Sequence, residues 1–241
     1  MKGKRGFLLA LRRVFRGDRF RTNGVEVIVP AIVDAEIRYG LLRGRPYEQA
    51  EADLIRKALR KDMNVLELGG SIGVISTVIR SVIGPSATHV IVEADEALAQ
   101  VCARNASHGA DRGRAIVKRG AIDYSGAPHV FFDSGHNAHT GHVDQNASTG
   151  TAVPTITASA AAADLPEGSF ALVCDIEGAE YPMIEQDAEV LDRVSVIIME
   201  LHPERYLSLG GSTEALMNRL LASGFHLNEQ NEHVVLLVRG A

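Results

Sequence analysis

The sequence predicts an α/β domain with a mainly parallel sheet, and three observations support this prediction. Short apolar segments alternate with helical segments over most of the chain, as they do where helices connect parallel strands. One of these units, over residues 64–79, is a strand, a glycine-rich turn and a helix. The 241 residues, of which 46% are hydrophobic and 23% are charged, suffice for one such domain with its own core.

The N-terminal segment, residues 1–45, is expected to form an extension made of a basic helix and a β-hairpin. Residues 1–21 hold eight basic residues and one acid. Five apolar residues at helical spacing lie between the arginines: Phe7, Leu8, Leu11, Val14 and Phe15. Such a helix packs against its own domain or, alternatively, rests on an anionic membrane surface or forms a dimer contact. Residues 25–30 alternate like a strand, and residues 31–39 suit a second strand or a short helix.

Residues 46–241 are expected to form the main domain. The predicted helices cover residues 47–60, a segment from residue 74, and residues 95–105, 157–165, 178–190 and 212–223. The predicted strands cover residues 65–68, 88–93, 115–118, 170–175, 194–201, 225–227 and 233–239. Residues 124–156 are rich in Gly, Ser, Thr, Asn and His, which predicts a long irregular loop.

Composition limits the classes of partner. A net charge of −5 gives no reason to expect nucleic acid, and with no Trp and 5% aromatic residues there is no obvious stacking platform for bases. No apolar run approaches the roughly 20 residues of a membrane helix, and the apolar run at residues 7–11 is too short for a signal peptide. The two cysteines are far apart and suggest free thiols, so we expect a cytoplasmic protein.

The turn after the strand at residues 65–68 indicates a nucleotide-containing ligand. A dinucleotide site needs G-x-G-x-x-G, but counted from Gly69 the second and third positions hold Ser71 and Val74. The next strand ends on Glu93, 24 positions after Gly69, where an acid can accept hydrogen bonds from ribose hydroxyls. The alternative is a tight strand–helix turn without a ligand.

The pattern Glu67-x-Gly69-x-Ser71-x-Gly73 resembles the E/D-x-G-x-G-x-G signature of class I S-adenosylmethionine (SAM) methyltransferases, with Ser for the middle glycine. The string Cys-Asp-Ile-Glu-Gly-Ala-Glu at residues 174–180 and the string Glu-Leu-His-Pro at residues 200–203 resemble those of the FkbM family. The resemblance covers about residues 60–240. It implies a single Rossmann-like domain with a mainly parallel seven-stranded sheet, helices on both faces and an antiparallel last strand.

The resemblance also implies methyl transfer from SAM to a hydroxyl oxygen of a sugar, a glycan or a polyketide-like molecule. Ligands of open parallel sheets bind outside the carboxyl ends of the strands. The expected cofactor-binding residues are therefore Glu67, Gly69, Gly70, Ser71, Gly73, Glu93, Ala94, Gly120, Ala121 and Asp175. Glu67 suits the ammonium group of SAM, and the close approach of Gly69 and Gly73 leaves room for its thioether chain.

The expected catalytic residues are Asp175, His202, Glu177 and Glu200. Asp175 is expected to position the acceptor or to remove its proton. His202 is the better base near neutral pH, because an unperturbed imidazole titrates there. Glu177 and Glu200 would orient these two side chains or accept hydrogen bonds from the substrate. Glu180 is expected to do no more than satisfy the backbone at the start of its helix.

Several alternatives stay open. Asp175, Glu177 and His202 could bind a divalent cation that acidifies the acceptor hydroxyl, or Glu177 and His202 have only structural roles. The histidine-rich segment is a lid over the acceptor, a zinc site or a solvated loop; its candidate ligands are His129, Asp133, His136, His139, His142 and Asp144. The chain is otherwise an N-methyltransferase or an inactive scaffold with a SAM fold, and a homo-oligomer is possible.

Overall fold

A computed structural model describes residues 2–108, 114–133, 142–143 and 151–240 of the chain. The strands are β1 (Arg19–Thr22), β2 (Val25–Ile28), β3 (Val65–Leu68), β4 (Thr88–Glu93), β5 (Arg114–Arg119), β6 (Ala121–Ile122), β7 (His129–Asp133), β8 (His142–Val143), β9 (Thr151–Ile156), β10 (Phe170–Cys174), β11 (Val194–Glu200), β12 (Phe225–Asn231) and β13 (Val234–Arg239). The α-helices are α1 (Lys2–Arg16), α2 (Ala35–Leu42), α3 (Gln49–Ala58), α4 (Val74–Ile83), α5 (Glu96–Ala106), α6 (Ala158–Ala162), α7 (Glu180–Gln186), α8 (Pro203–Ser208) and α9 (Thr213–Ala222).

The main sheet has seven strands in the order β12-β13-β11-β10-β3-β4-β5. Strands β5, β4, β3, β10 and β11 are parallel to one another, whereas β13 is antiparallel to both β11 and β12. Helices α3 and α4 bury apolar side chains against one face, and α6, α7 and α9 do so against the other. The predicted fold class is therefore confirmed.

The inner strands end at one level, which defines the carboxyl edge of the sheet. All residues of β3 and β4 are buried because helices cover both faces, and this explains why most of their residues are apolar. In the register of the sheet, Leu68 of β3 pairs with Val92 of β4 and with Cys174 of β10, and Cys174 pairs with Met199 of β11. The segments that follow these strands consequently leave the sheet side by side.

Helix boundaries follow local capping. Asp95 caps α5 as predicted, and its carboxylate accepts hydrogen bonds from the backbone N–H groups of Ala97 (2.8 Å) and Leu98 (3.0 Å). Residues 35–42 are helical, so the helical alternative for this segment is correct. The helix predicted at residues 178–190 is divided into α7 and a 3₁₀ helix, Ala188–Arg193, and α8 begins at Pro203 without having been predicted.

Residues 124–128 of the predicted irregular loop are irregular, but the prediction is wrong over residues 129–133, 142–143 and 151–156, which form strands. Strand β9 pairs with β7 in antiparallel and with β6 in parallel fashion, and β7 also pairs with β8. Val153 of β9 is buried, and it lies opposite Val130. The β-branched and aromatic residues of the two segments favour strands, although the small polar residues around them favour a loop.

The N-terminal segment joins the core through its hairpin. Val27 and Val29 are buried in the same cluster as Val65. The side-chain amide of Asn105 in α5 accepts a hydrogen bond from the backbone N–H of Ile28 and donates one to the carbonyl oxygen of the same residue. Helix α1 packs on the domain through Leu9, which is 5% exposed and belongs to the same core cluster. The five apolar residues singled out in the sequence are exposed, between 42% and 80%. The division of the chain at residue 45 stays a prediction. The described residues contain no helix of the length and apolarity that crossing a membrane requires.

Candidate active site

The glycine turn between β3 and α4 packs tightly against its own protein. A Cβ atom on Gly69, whose φ is +92°, would lie 1.8 Å from the carbonyl oxygen of Asp175. On Gly70 it would lie 2.7 Å from Cγ2 of Ile91, and on Gly73 it would lie 2.8 Å from Cα of Cys102. These glycines are therefore required by the approach of β4, α5 and the segment after β10, and the expectation that Gly69 and Gly73 leave room for the thioether chain of SAM stays a prediction.

Glu93 ties the glycine turn to the end of β4. One carboxylate oxygen accepts a hydrogen bond from the backbone N–H of Ser71 (2.6 Å), and the other accepts one from that of Asp95 (2.8 Å). The side chain is buried, and burial raises its pKa to about 7 against the opposing effect of these hydrogen bonds. Ala94 is half-buried beside it. Each carboxylate oxygen keeps a lone pair with which it can accept a further hydrogen bond from a ligand.

Glu67 points into the fold and not toward the carboxyl edge. It is 1% exposed; Oε1 accepts a hydrogen bond from the Ser76 hydroxyl (2.9 Å), and Oε2 lies 2.8 Å from Nε2 of His89. Glu67 therefore has no exposed carboxylate oxygen with which to make the expected contact with the ammonium group of SAM. The acid holds the base of the glycine turn from inside.

Gly120 and Ala121 follow β5 at the same edge. The backbone N–H of Gly120 donates to the carbonyl of Glu93 (3.0 Å), which keeps this turn beside the end of β4. A Cβ atom on Gly120 would lie 2.9 Å from Cγ2 of Ile156, so the glycine permits the close passage of β9. Ala121 is buried and begins β6.

Three predicted catalytic side chains converge beyond the ends of β10 and β11. Nε2 of His202 lies 3.5 Å from Oδ1 of Asp175 and 3.7 Å from Oε2 of Glu177. One ligand atom from each residue lies within 4.8 Å of the other two. We refer to Asp175, Glu177 and His202 as the carboxylate–histidine cluster. It lies next to the glycine turn, because Gly69 touches the backbone of Asp175.

Glu180 organises this cluster, a role that the sequence did not predict. Its two oxygens accept hydrogen bonds from the backbone N–H groups of Ile176 and Gly178, at 2.8 Å each. Oε1 also lies 3.1 Å from Nδ1 of His202. Glu180 is fully buried, so it fixes both the turn that carries Glu177 and the orientation of the imidazole. Glu180 is the last residue of the string Asp-x-Glu-x-x-Glu, but its position at the start of a helix indicated only a carboxylate that satisfies backbone N–H groups.

Excess negative charge perturbs the cluster. Burial and the charge of Glu200 raise the pKa of Asp175 to about 8. Burial works against the charge on His202, but the hydrogen bond to Glu180 and the nearby carboxylates outweigh it and raise the pKa of His202 to about 9. The raised pKa favours the protonated imidazole at neutral pH, so His202 needs a change in its surroundings to act as the base, and that role stays a prediction.

Further acids approach the cluster from the segment before β3, where none was predicted. Glu48 precedes α3 in a left-handed conformation (φ +49°), and Glu51 is buried one turn later. Burial and then the charge of Asp175 raise the pKa of Glu48, and burial and then the charge of Glu48 raise that of Glu51. The hydroxyl of Tyr47 lies 3.4 Å from that of Ser71, so this segment reaches the glycine turn.

The remaining candidates fall partly outside the described residues. His129 is exposed in β7, and the backbone of Asp133 and His142 is in strands β7 and β8. His136, His139 and Asp144 lie outside the described residues. The zinc site and the lid over the acceptor therefore stay predictions.

Comparison with known proteins identifies the family. Residues 67–227 match the model of the methyltransferase FkbM domain. No match was found among curated proteins.

Solved structures with a similar fold include three methyltransferases or related proteins. A TehB-like SAM-dependent methyltransferase from Corynebacterium glutamicum is 11% identical and covers 86% of this chain and 96% of its own, with a TM-score of 0.47. A methyltransferase from Pyrococcus furiosus is 10% identical over 100% and 98% of the two chains, with a TM-score of 0.48. Fibrillarin from Aeropyrum pernix, solved with natively bound SAM, is 12% identical; the match covers 79% of this chain and 73% of the fibrillarin chain, with a TM-score of 0.45.

Likenesses at this level do not identify an acceptor. The family model, by contrast, spans about two thirds of the chain and includes the glycine turn, Glu93 and the carboxylate–histidine cluster. The chain therefore belongs to the FkbM family of SAM-dependent methyltransferases.

Proposed function

We propose that this methyltransferase transfers the methyl group of SAM to a hydroxyl oxygen of a sugar, a glycan or a polyketide-like small molecule. The observation that carries the proposal is the position of the carboxylate–histidine cluster, which adjoins the glycine turn at the carboxyl edge. Proton-accepting groups so close to a cofactor site suit an acceptor whose proton must leave as its oxygen attacks.

The residues at the carboxyl edge fit the chemistry of SAM. Glu93 offers carboxylate lone pairs to the ribose hydroxyls, while Ser71, Ala94, Gly120 and Ala121 supply the surrounding backbone. Oδ1 of Asp175 is buried and has no hydrogen-bond partner within the described part of the chain, so it suits an ammonium donor. When bound, SAM supplies an activated methyl group on a positively charged sulfur.

Asp175 is the residue that we propose for acceptor positioning and proton removal. Its raised pKa, near 8, makes it a stronger base than an ordinary carboxylate and brings it near the working pH. The acceptor O–H would donate to Asp175 and transfer its proton there as the new C–O bond forms and the bond between the methyl carbon and sulfur breaks, which leaves S-adenosylhomocysteine. Glu200, half-buried at the end of β11, and Glu177 then accept hydrogen bonds from the remaining hydroxyls.

The buried carboxylates also favour a second candidate, N-methylation. The carboxyl groups of Glu48, Glu51 and Asp175, whose pKa values burial raises, can accept hydrogen bonds from the N–H groups of an amine that has lost its extra proton. An inactive scaffold with a SAM fold is a third possibility. Methyl transfer to hydroxylated and to amino acceptors, measured by mass spectrometry with the same preparation, distinguishes the three.

Cofactor binding is the first test of the proposal. Calorimetric titration with SAM and with S-adenosylhomocysteine should give one site per chain for the wild type. Glu93→Ala should weaken it at least tenfold, whereas Glu96→Gln, an exposed acid one turn away, should not. No binding of either ligand by the wild type would contradict the proposal.

We further propose that the protein works in the cytoplasm on a small-molecule or glycan acceptor and that α1 makes a peripheral membrane contact. Both cysteines are free and buried, as expected in a reducing compartment. The net charge of −5 and the absence of Trp give nucleic acid no support. The exposed apolar side chains of α1, among basic ones, favour a membrane contact for that part of the helix surface.

A further inference from the structure

The carboxylate–histidine cluster has the composition and spacing of a cation site. It offers two carboxylates and one imidazole, and one ligand atom of each lies within 4.8 Å of the other two. The ligands of one ion at 2.0–2.2 Å are about 3 Å apart, so the measured 3.5 and 3.7 Å between Nε2 and the carboxylate oxygens need to shrink only slightly. Small side-chain rotations would achieve this.

The orientation of His202 supports the same conclusion. A histidine that binds a metal ion through one ring nitrogen usually donates the other N–H to a carboxylate or a carbonyl. Here Nδ1 of His202 lies 3.1 Å from Glu180, so Nε2 is the nitrogen that faces Asp175 and Glu177. Glu180 is itself held by the backbone N–H groups of Ile176 and Gly178 and is fully buried, which makes it a rigid partner.

Two features of the carboxylates fit a bound cation. Oδ1 of Asp175 is buried without a hydrogen-bond partner among the described residues, which is costly for a polar atom. Glu177 adopts φ +54°, a conformation that a side chain disfavours, and the following Gly178 is at φ +109°. The turn thus stores strain to direct the Glu177 carboxylate toward His202, and an ion between the three groups would account for both features.

We propose that Asp175, Glu177 and His202 bind one divalent cation and that Glu180 is the positioning residue that directs Nε2 of His202 to it. Two carboxylates and an imidazole suit Mn²⁺ best among the ions that prefer oxygen ligands. The remaining coordination positions are open to water or to the acceptor.

The cation site deepens the proposed function, on which its catalytic role rests. An ion held there lowers the pKa of a hydroxyl that reaches it. With the ion present, Asp175 is a ligand and is then not the base, and Glu200 takes the proton that the acceptor loses as the methyl group leaves the sulfur of SAM. Acceptors with two neighbouring hydroxyls are favoured, because both can reach the open positions.

Mn²⁺ titration of the full chain tests the site directly, with free Mn²⁺ followed by electron paramagnetic resonance. The wild type should bind one ion, and Glu177→Gln should weaken binding at least tenfold. Glu180→Gln should weaken it by about 10–100-fold with SAM affinity unchanged. The control Glu204→Gln, an exposed acid two residues from His202, should bind like the wild type.

A spectroscopic signature identifies the histidine. Electron spin-echo modulation from one imidazole nitrogen should accompany bound Mn²⁺ in the wild type and disappear in His202→Gln. This measurement does not depend on Glu180→Gln, so it tests the site even if that variant fails to fold. Equal affinities of Glu177→Gln and Glu204→Gln, or no saturable binding by the wild type, would overturn the proposal. SAM binding without Mn²⁺ binding would refute the cation site alone, and Mn²⁺ binding without SAM binding would refute the proposed function alone.

Discussion

At the scale of single residues, the surroundings of a side chain decide its chemistry more than its type does. Glu67 and Glu93 both lie at or near the end of a strand. Glu67 contacts the buried side chains of Ser76 and His89, whereas Glu93 accepts a hydrogen bond from the backbone of the glycine turn. The side chain of Asp175 reaches the site because β10 ends one residue before it. A carboxylate at a strand end is therefore a candidate whose role depends on which neighbours reach it.

Replacement of Asp175 by Asn should separate catalysis from cofactor binding. The amide keeps the shape of the side chain but cannot take a proton, so turnover should fall by at least 10²-fold. SAM affinity should change by less than about tenfold, because Asn keeps a side-chain oxygen that can accept a hydrogen bond from the ammonium group. Single-turnover methyl transfer and calorimetry measure the two quantities. Unchanged turnover would exclude Asp175 as the base and as a required cation ligand.

Substitution of Gly69 by Ala tests the packing of the glycine turn. The new Cβ would lie 1.8 Å from the carbonyl oxygen of Asp175, at φ +92°, so the variant should lose more than about 3 kcal/mol of unfolding free energy or fail to fold. Gly126→Ala is the matched control, since its φ is +78° and nothing lies within 4 Å of the added atom. It should lose only about 1 kcal/mol.

Urea denaturation of both glycine variants gives the two free energies. Equal losses would mean that backbone strain explains the requirement at Gly69 and that contact with Asp175 adds nothing.

At the scale of elements, α1 differs from the helices of the core. Those helices bury their apolar residues against the sheet, whereas α1 leaves Phe7 (68%), Val14 (80%) and Phe15 (77%) exposed. Residues 1–21 also hold eight basic residues and one acid in a chain whose net charge is −5. The positive charge is thus concentrated beside the exposed apolar residues, as in helices that lie on anionic lipid.

The triple variant Phe7→Ser, Val14→Ser, Phe15→Ser should lose binding to vesicles that contain anionic lipid. The wild type should sediment with such vesicles and be released by salt, because both apolar burial and charge contribute. Leu207→Ser, which changes an equally exposed apolar residue (68%) on α8, is the control and should sediment like the wild type. A mass in solution that falls in the triple variant, with no vesicle binding by the wild type, would instead assign α1 to a dimer.

At the scale of the whole molecule, local patterns determine the sheet but not the site. Strands β3, β4 and β10 could be predicted because helices cover both of their faces, so that most residues of β3 and β4 and all residues of β10 are apolar. The strand ends then indicated Asp175 and His202. The pairing of β7 with β9 and the contact of Glu180 with His202 depend on residues some 20 positions apart, so composition alone predicted a loop and a helix cap.

The acids around the glycine turn should make the whole fold less stable as pH rises. Burial raises the pKa of Glu93 from 4.5 to about 7, against the backbone hydrogen bonds of Asp95 and Ser71, and the charge of Asp95 adds to the rise. A raised pKa means that the folded state holds the proton more tightly than the unfolded state does. The stabilisation is complete below about pH 4.5 and is lost as pH approaches and passes about 7.

Glu93→Gln isolates this contribution, because Gln cannot titrate. The unfolding free energy of the wild type relative to that of Glu93→Gln should fall by roughly 3 kcal/mol between pH 4.5 and pH 8, the equivalent of a shift of about 2.5 pH units. Urea denaturation with EDTA and without SAM measures it, so that neither ligand compensates the charge. A constant difference across this range would mean that Glu93 ionises in the folded protein as readily as in the unfolded chain, and the carboxylate would then face SAM fully charged at every working pH.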